Sequence, residues 1–186
     1  MADLKSTLEG LLTMSPEEMK TKLGPAMDEV KGKVAKMMET MPDLPQRMAA
    51  NLSKMDVAKF SNDAPEASAK FTDVLWESIG VLAEKNADLK SKVAAVGDIE
   101  VNFQATDSPM KGHMKIKGGK LTGGSTHLAT ATFKTIGPTK VMIGLITGSV
   151  DPIGGFMSKQ YTSEGSMATG MKLSPVMSAI ARALKG

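Results

Sequence analysis

The hydrophobic period of this chain changes at Gly97, and that change limits the fold more than any other feature. Before it, apolar residues recur every three or four positions: Met27, Val30, Val34, Met37, Met38 and Met41 form one stripe, and Phe71, Leu75, Ile79 and Leu82 another, with Trp76 beside it. After it, Ile99, Val101, Phe103 and Ala105 alternate with Asp98, Glu100, Asn102 and Gln104, the pattern of a strand with one buried and one wet face. Helices first and strands second is the order of an α+β protein.

The helical part is heavily punctuated. Asp3 can cap a helix carrying Leu4, Leu8, Leu11 and Leu12 on one face, and Ser15 with Pro16 and Glu18 begins a second. Gly24-Pro25 is expected to stop that helix and start the one bearing the Met27 to Met41 stripe. The Met41-Pro42 to Leu44-Pro45 run ends it, a short helix follows with Met48, Leu52 and Met55, and residues 61–65 break the chain again. Each piece is too short to persist alone in water, so the extension must dock, and packing on its own domain is favoured over packing on a partner. From Pro65 one long helix and then residues 86–96 lead to Gly97 as terminator.

In the second half, further strands are expected at residues 113–117, 120–123, 128–133 and 160–163, the first two joined by the tight-turn pair Gly118-Gly119. Pro138 opens a helix that Gly148 ends, and Asp151-Pro152 starts a short one. Gly165 releases the chain into a helix with Met167, Met171 and Leu173, and Ser174-Pro175 caps a last helix. The expected fold is therefore a five-stranded, mainly antiparallel sheet covered on one face by helices, with an all-helical N-terminal extension over residues 1–62 and a domain over residues 63–186.

Composition bears on function mostly by exclusion. Of 186 residues none is Cys and two are His, so thiolate metal sites and cysteine nucleophiles are absent from the chemistry. His113 and His127 lie 14 apart without an HExxH pattern or a nearby carboxylate pair, and both are expected at surface or turn positions. The glycine pairs lack GxxxxGK, and Gly165-Ser166 is no nucleophile elbow. With no acid, base or nucleophile constellation, neither an enzyme, a metal nor a cofactor is expected. Charge is asymmetric, net minus two over residues 1–96 and net plus five over residues 97–186, but the basic residues are scattered among Gly and Thr without stacking aromatics. Nucleic acid is therefore not an expected partner, whereas weak attraction to anionic lipid surfaces is compatible. Neither a membrane-length apolar run nor a secretory leader is read, so cytoplasm is the default location.

The 16 methionines outnumber the seven aromatics and fall in two groups, nine up to Met55 and seven from Met110 onward. They offer two adaptable apolar systems.

Three stretches of the second half resemble the sterol carrier protein type two family, the small nonspecific lipid-transfer domain. One is the helix end at Leu145-Ile146 with the Thr147-Gly148 corner and Pro152. Another is the aromatic Phe156, the short strand around Tyr161, and Gly165-Ser166-Met167. The third is Met171-Lys172-Leu173 at the family's spacing. The likeness covers roughly residues 66–186. Lys159 stands where the family usually has Gly, and Gly144, Gly154, Gly155 and Gly170 are smaller than many members carry. The ending Ala183-Leu184-Lys185-Gly186 is not a peroxisomal address.

A sheet with one apolar face under a Met, Ile and Leu cover can hold an apolar guest if packing is left incomplete. Each buried methylene contributes about 0.8 kcal/mol, so a ten-carbon segment gains about 8 kcal/mol before ordering costs. The expected lining is Trp76, Ile79, Val101, Phe103, Ile116, Phe133, Met142, Ile143, Ile146, Phe156, Met157, Met167 and Met171. The resemblance also implies a lid formed by the last helix, residues 176–184. The expected function is reversible burial of a fatty acid, acyl-coenzyme A, sterol or phospholipid, exchanged with membranes or acyl-handling enzymes. The rival reading is an interaction module with a filled core whose extension docks a partner or a second copy.

Overall fold

The computed structural model describes Gly10 and residues 16–185. Asp3, Leu4, Leu8, Leu11, Leu12 and Ser15 lie outside the described residues. The described helices are α1 (Pro16–Val30), α2 (Val34–Thr40), α3 (Leu44–Lys54), α4 (Val57–Asp63), α5 (Pro65–Lys85) and α6 (Ala87–Val96), followed by β1 (Ile99–Ala105), β2 (Lys111–Lys117), β3 (Lys120–Gly124) and β4 (Phe133–Gly137). Then come α7 (Thr139–Thr147), α8 (Pro152–Met157), β5 (Thr162–Gly165) and α9 (Met167–Lys185).

Helix α1 runs through Gly24-Pro25 instead of stopping there. A proline inside a helix costs about 3 kcal/mol. Leu23, Met27 and Val30 lie on one face across the break and are buried, each contributing about 1.5–3 kcal/mol, so burial wins. The stripe instead breaks at Gly32, whose φ of 78° only glycine adopts without strain. The Glu77 carboxylate of α5 accepts from the backbone N–H of Gly32 at 2.9 Å and of Val34 at 3.4 Å, so the long helix caps the start of α2. A further unexpected boundary lies at Asp56, whose side chain accepts from Lys59 N at 3.0 Å and starts α4.

Helices α1 to α4 pack against α5. Met27, Met37, Met38, Met41 and Met48 are buried in the same continuous core as Trp76 and Ile180. Lys31 reaches Asp73 of α5 at 2.7 Å, and Asp73 also accepts from Ser125 N at 2.7 Å, joining α1, α5 and the loop after β3. Burial pushes the Asp73 carboxyl up, but the hydrogen bonds from Lys31 and Ser125 outweigh it and hold the group below its ordinary value. A depressed folded-state pKa gives stability present above the unfolded value of about 3.9 and lost as pH falls through the folded value. Asp73→Asn is expected to lower stability at pH 7 by about 1–2 kcal/mol. The gap to the native protein should narrow as pH falls through the depressed folded-state value, as urea titrations at neutral and at acid pH will show.

The sheet order is β3-β2-β1-β4-β5, antiparallel except for the parallel pair β1 and β4. Gly118 and Gly119, at φ 57° and 75°, turn β2 into β3. Val101 sits opposite Met114 on one side and Phe133 on the other. That puts Val101, Phe103, Met114, Ile116, Leu121 and Phe133 in the core, under the helices.

The expected strand at residues 128–133 is instead mostly loop, and β4 begins only at Phe133. The loop lies against the outer face of β1. The Asn102 side chain donates to Leu128 O at 3.0 Å and accepts from Leu128 N at 2.9 Å, Thr130 donates to Glu100, and the His127 ring meets Phe103 O at 2.9 Å. Backbone groups held by side chains in this way are not available to a ladder. His113 is held likewise, its ring 2.7 Å from Thr126 O.

The last strand also shifts, from the expected 160–163 to Thr162–Gly165. Lys159 adopts φ 58° and Gln160 N donates to Gly155 O at 2.9 Å, so these residues close the end of α8. Helix α9 runs unbroken through Ser174-Pro175, against the expected cap there. Leu173, Ser174, Val176 and Met177 are buried on both sides of the proline, and that burial favours continuing the helix through it.

Candidate functional site

Between the apolar face of the sheet and α7, α8 and α9 lies a hollow of about 370 Å³. The sheet contributes Val101, Phe103, Met114, Phe133 and Thr135; α7 contributes Leu145; α8 contributes Pro152, Ile153, Phe156 and Met157. Tyr161 and Ser163 form one margin, and Met167, Gly170, Met171, Leu173 and Met177 of α9 form the far wall. None of these residues carries a formal charge at neutral pH. Only Thr135, Tyr161 and Ser163 bring a side-chain hydroxyl.

The wall elements are fixed from their ends. Asp107 accepts from Thr139 N at 2.7 Å and anchors the start of α7, and Gly148 ends that helix at φ 76°. Asp151 caps α8 by accepting from Gly154 N at 2.5 Å. The Tyr161 hydroxyl donates to Pro152 O at 2.6 Å while its ring lies 5.9 Å from Phe156, tilted by 57°. Burial, and then the Asp151 charge, push the Tyr161 hydroxyl pKa above its ordinary value, so it remains a donor at neutral pH. A Cβ on Gly170 would lie 3.0 Å from Phe133 Cζ, and one on Gly144 2.5 Å from Val150 Cγ2. These small residues therefore let the elements approach one another and do not by themselves widen the hollow.

The hollow reaches the surface at a ring of apolar side chains. Ile153 is 56% exposed, Met157 75%, Met167 53% and Met171 66%, the exposed large hydrophobics among the described residues, and all four line it. Single exposed apolar residues are ordinary, but four around one opening are a patch.

Of the residues expected from spacing to line a pocket, Val101, Phe103, Phe133, Phe156, Met157, Met167 and Met171 stand on this wall. Trp76, Ile79, Ile116, Met142, Ile143 and Ile146 are buried in the core and do not line the hollow; the Trp76 ring lies behind it, tilted against Phe103 at 6.0 Å. Spacing missed Met114, which shares the face of Ile116, and Leu145. It also missed Gly170, Leu173 and Met177, which follow Met167 at intervals of three and four. Gly170 and Leu173 are in phase within the helix expected before Ser174, whereas the phase of Met177 is visible only once α9 is read as one helix through Pro175. The segment expected to be a lid, residues 176–184, is built into the core: Val176, Ala179, Ile180 and Leu184 are buried against neighbouring helices. It is the first half of α9 that borders the mouth.

Lys159, beside that mouth, holds a left-handed backbone that costs a non-glycine residue about 1 kcal/mol. Lys159→Gly is expected to raise stability by about 0.5 kcal/mol, the relieved strain being partly offset by glycine's greater freedom in the unfolded chain. Chemical denaturation will read the difference; a loss of stability would mean that the lysine side chain is itself anchored.

An apolar hollow between an antiparallel-rich sheet and a helical cover is chemically suited to a hydrophobic guest. The family model of the SCP-2 sterol transfer family matches residues 79–178, more than half of the chain, and the protein belongs to that family of lipid-binding and lipid-transfer domains. Among solved structures, the UbiJ-SCP2 ubiquinone synthesis protein is similar at 8% identity and a TM-score of 0.49, covering 59% of this chain and 94% of its own. The sterol carrier protein domain 2 of Helicoverpa armigera is similar at 17% identity and a TM-score of 0.45, covering 60% and 90%. The inverting sec-alkylsulfatase Pisa1 from Pseudomonas sp. is similar at 14% identity and a TM-score of 0.39, covering 89% of this chain and 32% of its own. No curated protein gives a significant match.

Proposed function

We propose that this protein is a carrier that reversibly buries a fatty acid, acyl-coenzyme A, sterol or phospholipid in the hollow between sheet and helices. Residues 63–186 form the lipid-binding unit and residues 1–62 an extension, whose described helices α1 to α4 stabilise that unit by packing on α5. The observation that supports this most is the hollow of about 370 Å³ with an uncharged lining, opening through exposed methionines. A hydrocarbon chain gains about 0.8 kcal/mol per methylene there without any directional contact. Methionine walls adapt to several chain shapes, which suits a carrier of low specificity.

With no formally charged residue in the lining, a charged headgroup is expected to remain at the opening, where desolvation is slight. Exchange then proceeds by transient contact of the opening with an anionic membrane surface or an acyl-handling enzyme, in the cytoplasm and without a cofactor. The rival reading, an interaction module with a filled core, is less well supported. The hollow is not filled, and the Met27 to Met41 face it would offer a partner is buried against α5.

Solvent extraction of protein purified from cells, followed by lipid analysis and native mass spectrometry, tests the proposal. The expected result is a bound lipid at about one per chain, released under denaturing conditions. Protein that carries no lipid and takes up none from added fatty acid or phospholipid vesicles would reject it.

A further inference from the structure

The methionines of this chain divide sharply by position. Those of the core, such as Met114, Met142 and Met177, are shielded from solvent. Met157, Met167 and Met171 are the exposed ones among the described side chains, and all three stand where the hollow opens. Leucine would give this rim nearly the same apolar bulk. What methionine adds is flexibility and a sulfur that oxidants can reach.

We propose that Met157, Met167 and Met171 form an oxidation-sensitive rim, at which conversion of the thioethers to sulfoxides by a peroxide closes the hollow to hydrocarbon chains. The idea rests on the carrier reading given above. In the step itself a sulfur lone pair attacks one oxygen of hydrogen peroxide. The S–O bond forms as the O–O bond breaks, and the departing hydroxide takes the proton of the transferred hydroxyl. One sulfoxide and one water result; sulfur gives up two electrons and the peroxide accepts them. A methionine sulfoxide reductase with a dithiol reductant supplies the reverse step, returning the thioether and releasing water.

The consequence is local. A sulfoxide is a strong hydrogen-bond acceptor that holds water, and three of them around one mouth replace an apolar ring by a hydrated one. A hydrocarbon chain must strip that water to enter, and the buried wall behind it is unchanged. Uptake therefore falls while the fold persists.

The test treats the full chain with graded hydrogen peroxide, maps oxygen addition by peptide mass spectrometry, and follows two readouts on the same samples. One is uptake of cis-parinaric acid; the other is retention on a phenyl column, which senses the rim without any lipid. Oxidation of Met157, Met167 and Met171 is expected well ahead of Met114 and Met142, with shorter retention and uptake weakened about tenfold. Whatever its own starting uptake, the triple variant Met157→Leu, Met167→Leu and Met171→Leu should show less than about a twofold change in uptake between untreated and peroxide-treated samples. The variant Met157→Gln with Met171→Gln should show weakened uptake without peroxide. Equal oxidation of buried and rim sulfurs, or equal peroxide sensitivity of the leucine variant, would overturn the proposal. If untreated protein takes up no probe, the carrier reading fails and the gating role with it; selective rim oxidation with shortened retention would then still distinguish that failure from the absence of an oxidisable rim.

Discussion

Gly148→Ala should lower the stability of this protein by more than about 3 kcal/mol, or leave it unable to fold, through two additive effects. The left-handed backbone at φ 76° costs a residue with a Cβ about 1–2 kcal/mol. The added methyl would also lie 1.9 Å from Cβ and 2.5 Å from Cα of Ala181, on the backbone of α9. A helix backbone cannot step aside as a side-chain tip can, so α9 must move as a unit or the corner must reopen. The second partner gives the control. Ala181→Gly alone should cost about 1 kcal/mol for glycine in a helix. Combined with Gly148→Ala, it should restore part of the loss, because the closest contact is gone while the strain remains. Urea unfolding of the two single variants and the double variant measures the coupling. A Gly148→Ala cost of only about 1 kcal/mol would mean that α9 yields more easily than its packing implies.

Leu173→Trp should abolish lipid uptake and leave stability almost unchanged. Leu173 is buried, and its side chain faces the hollow from the middle of α9. An indole there extends into empty space, so the substitution fills a void instead of overpacking a core. Void filling is commonly neutral or stabilising, whereas added bulk in a filled core costs about 1–3 kcal/mol. The same variant therefore separates the carrier from the interaction module. Uptake of cis-parinaric acid reduced more than tenfold with an unchanged melting temperature supports the carrier. Retained uptake, or a melting temperature lowered by several degrees, would count against an accessible hollow at this position.

Much of the architecture is legible in the residues themselves. The period change at Gly97, the Gly118-Gly119 turn and the Gly148 corner follow from local chemistry, and the structure has them where spacing puts them. The misread boundaries share a cause. Pro25 and Pro175 are stop signals locally, yet buried residues flank each on one face, and tertiary burial outweighs a missing hydrogen bond. Residues 128–132 alternate passably for a strand, but Asn102 takes both backbone groups of Leu128, a contact spanning 26 positions that no local pattern announces.

The hollow follows the same division. Apolar spacing determined which residues leave water, including Trp76, Ile79 and Met142 as well as Phe103 and Phe133, because the hydrophobic effect acts on each side chain without direction. Which of them face a neighbour and which face empty space was decided only when α7, α8 and α9 settled on the sheet, since a void depends on distances between elements far apart in the chain.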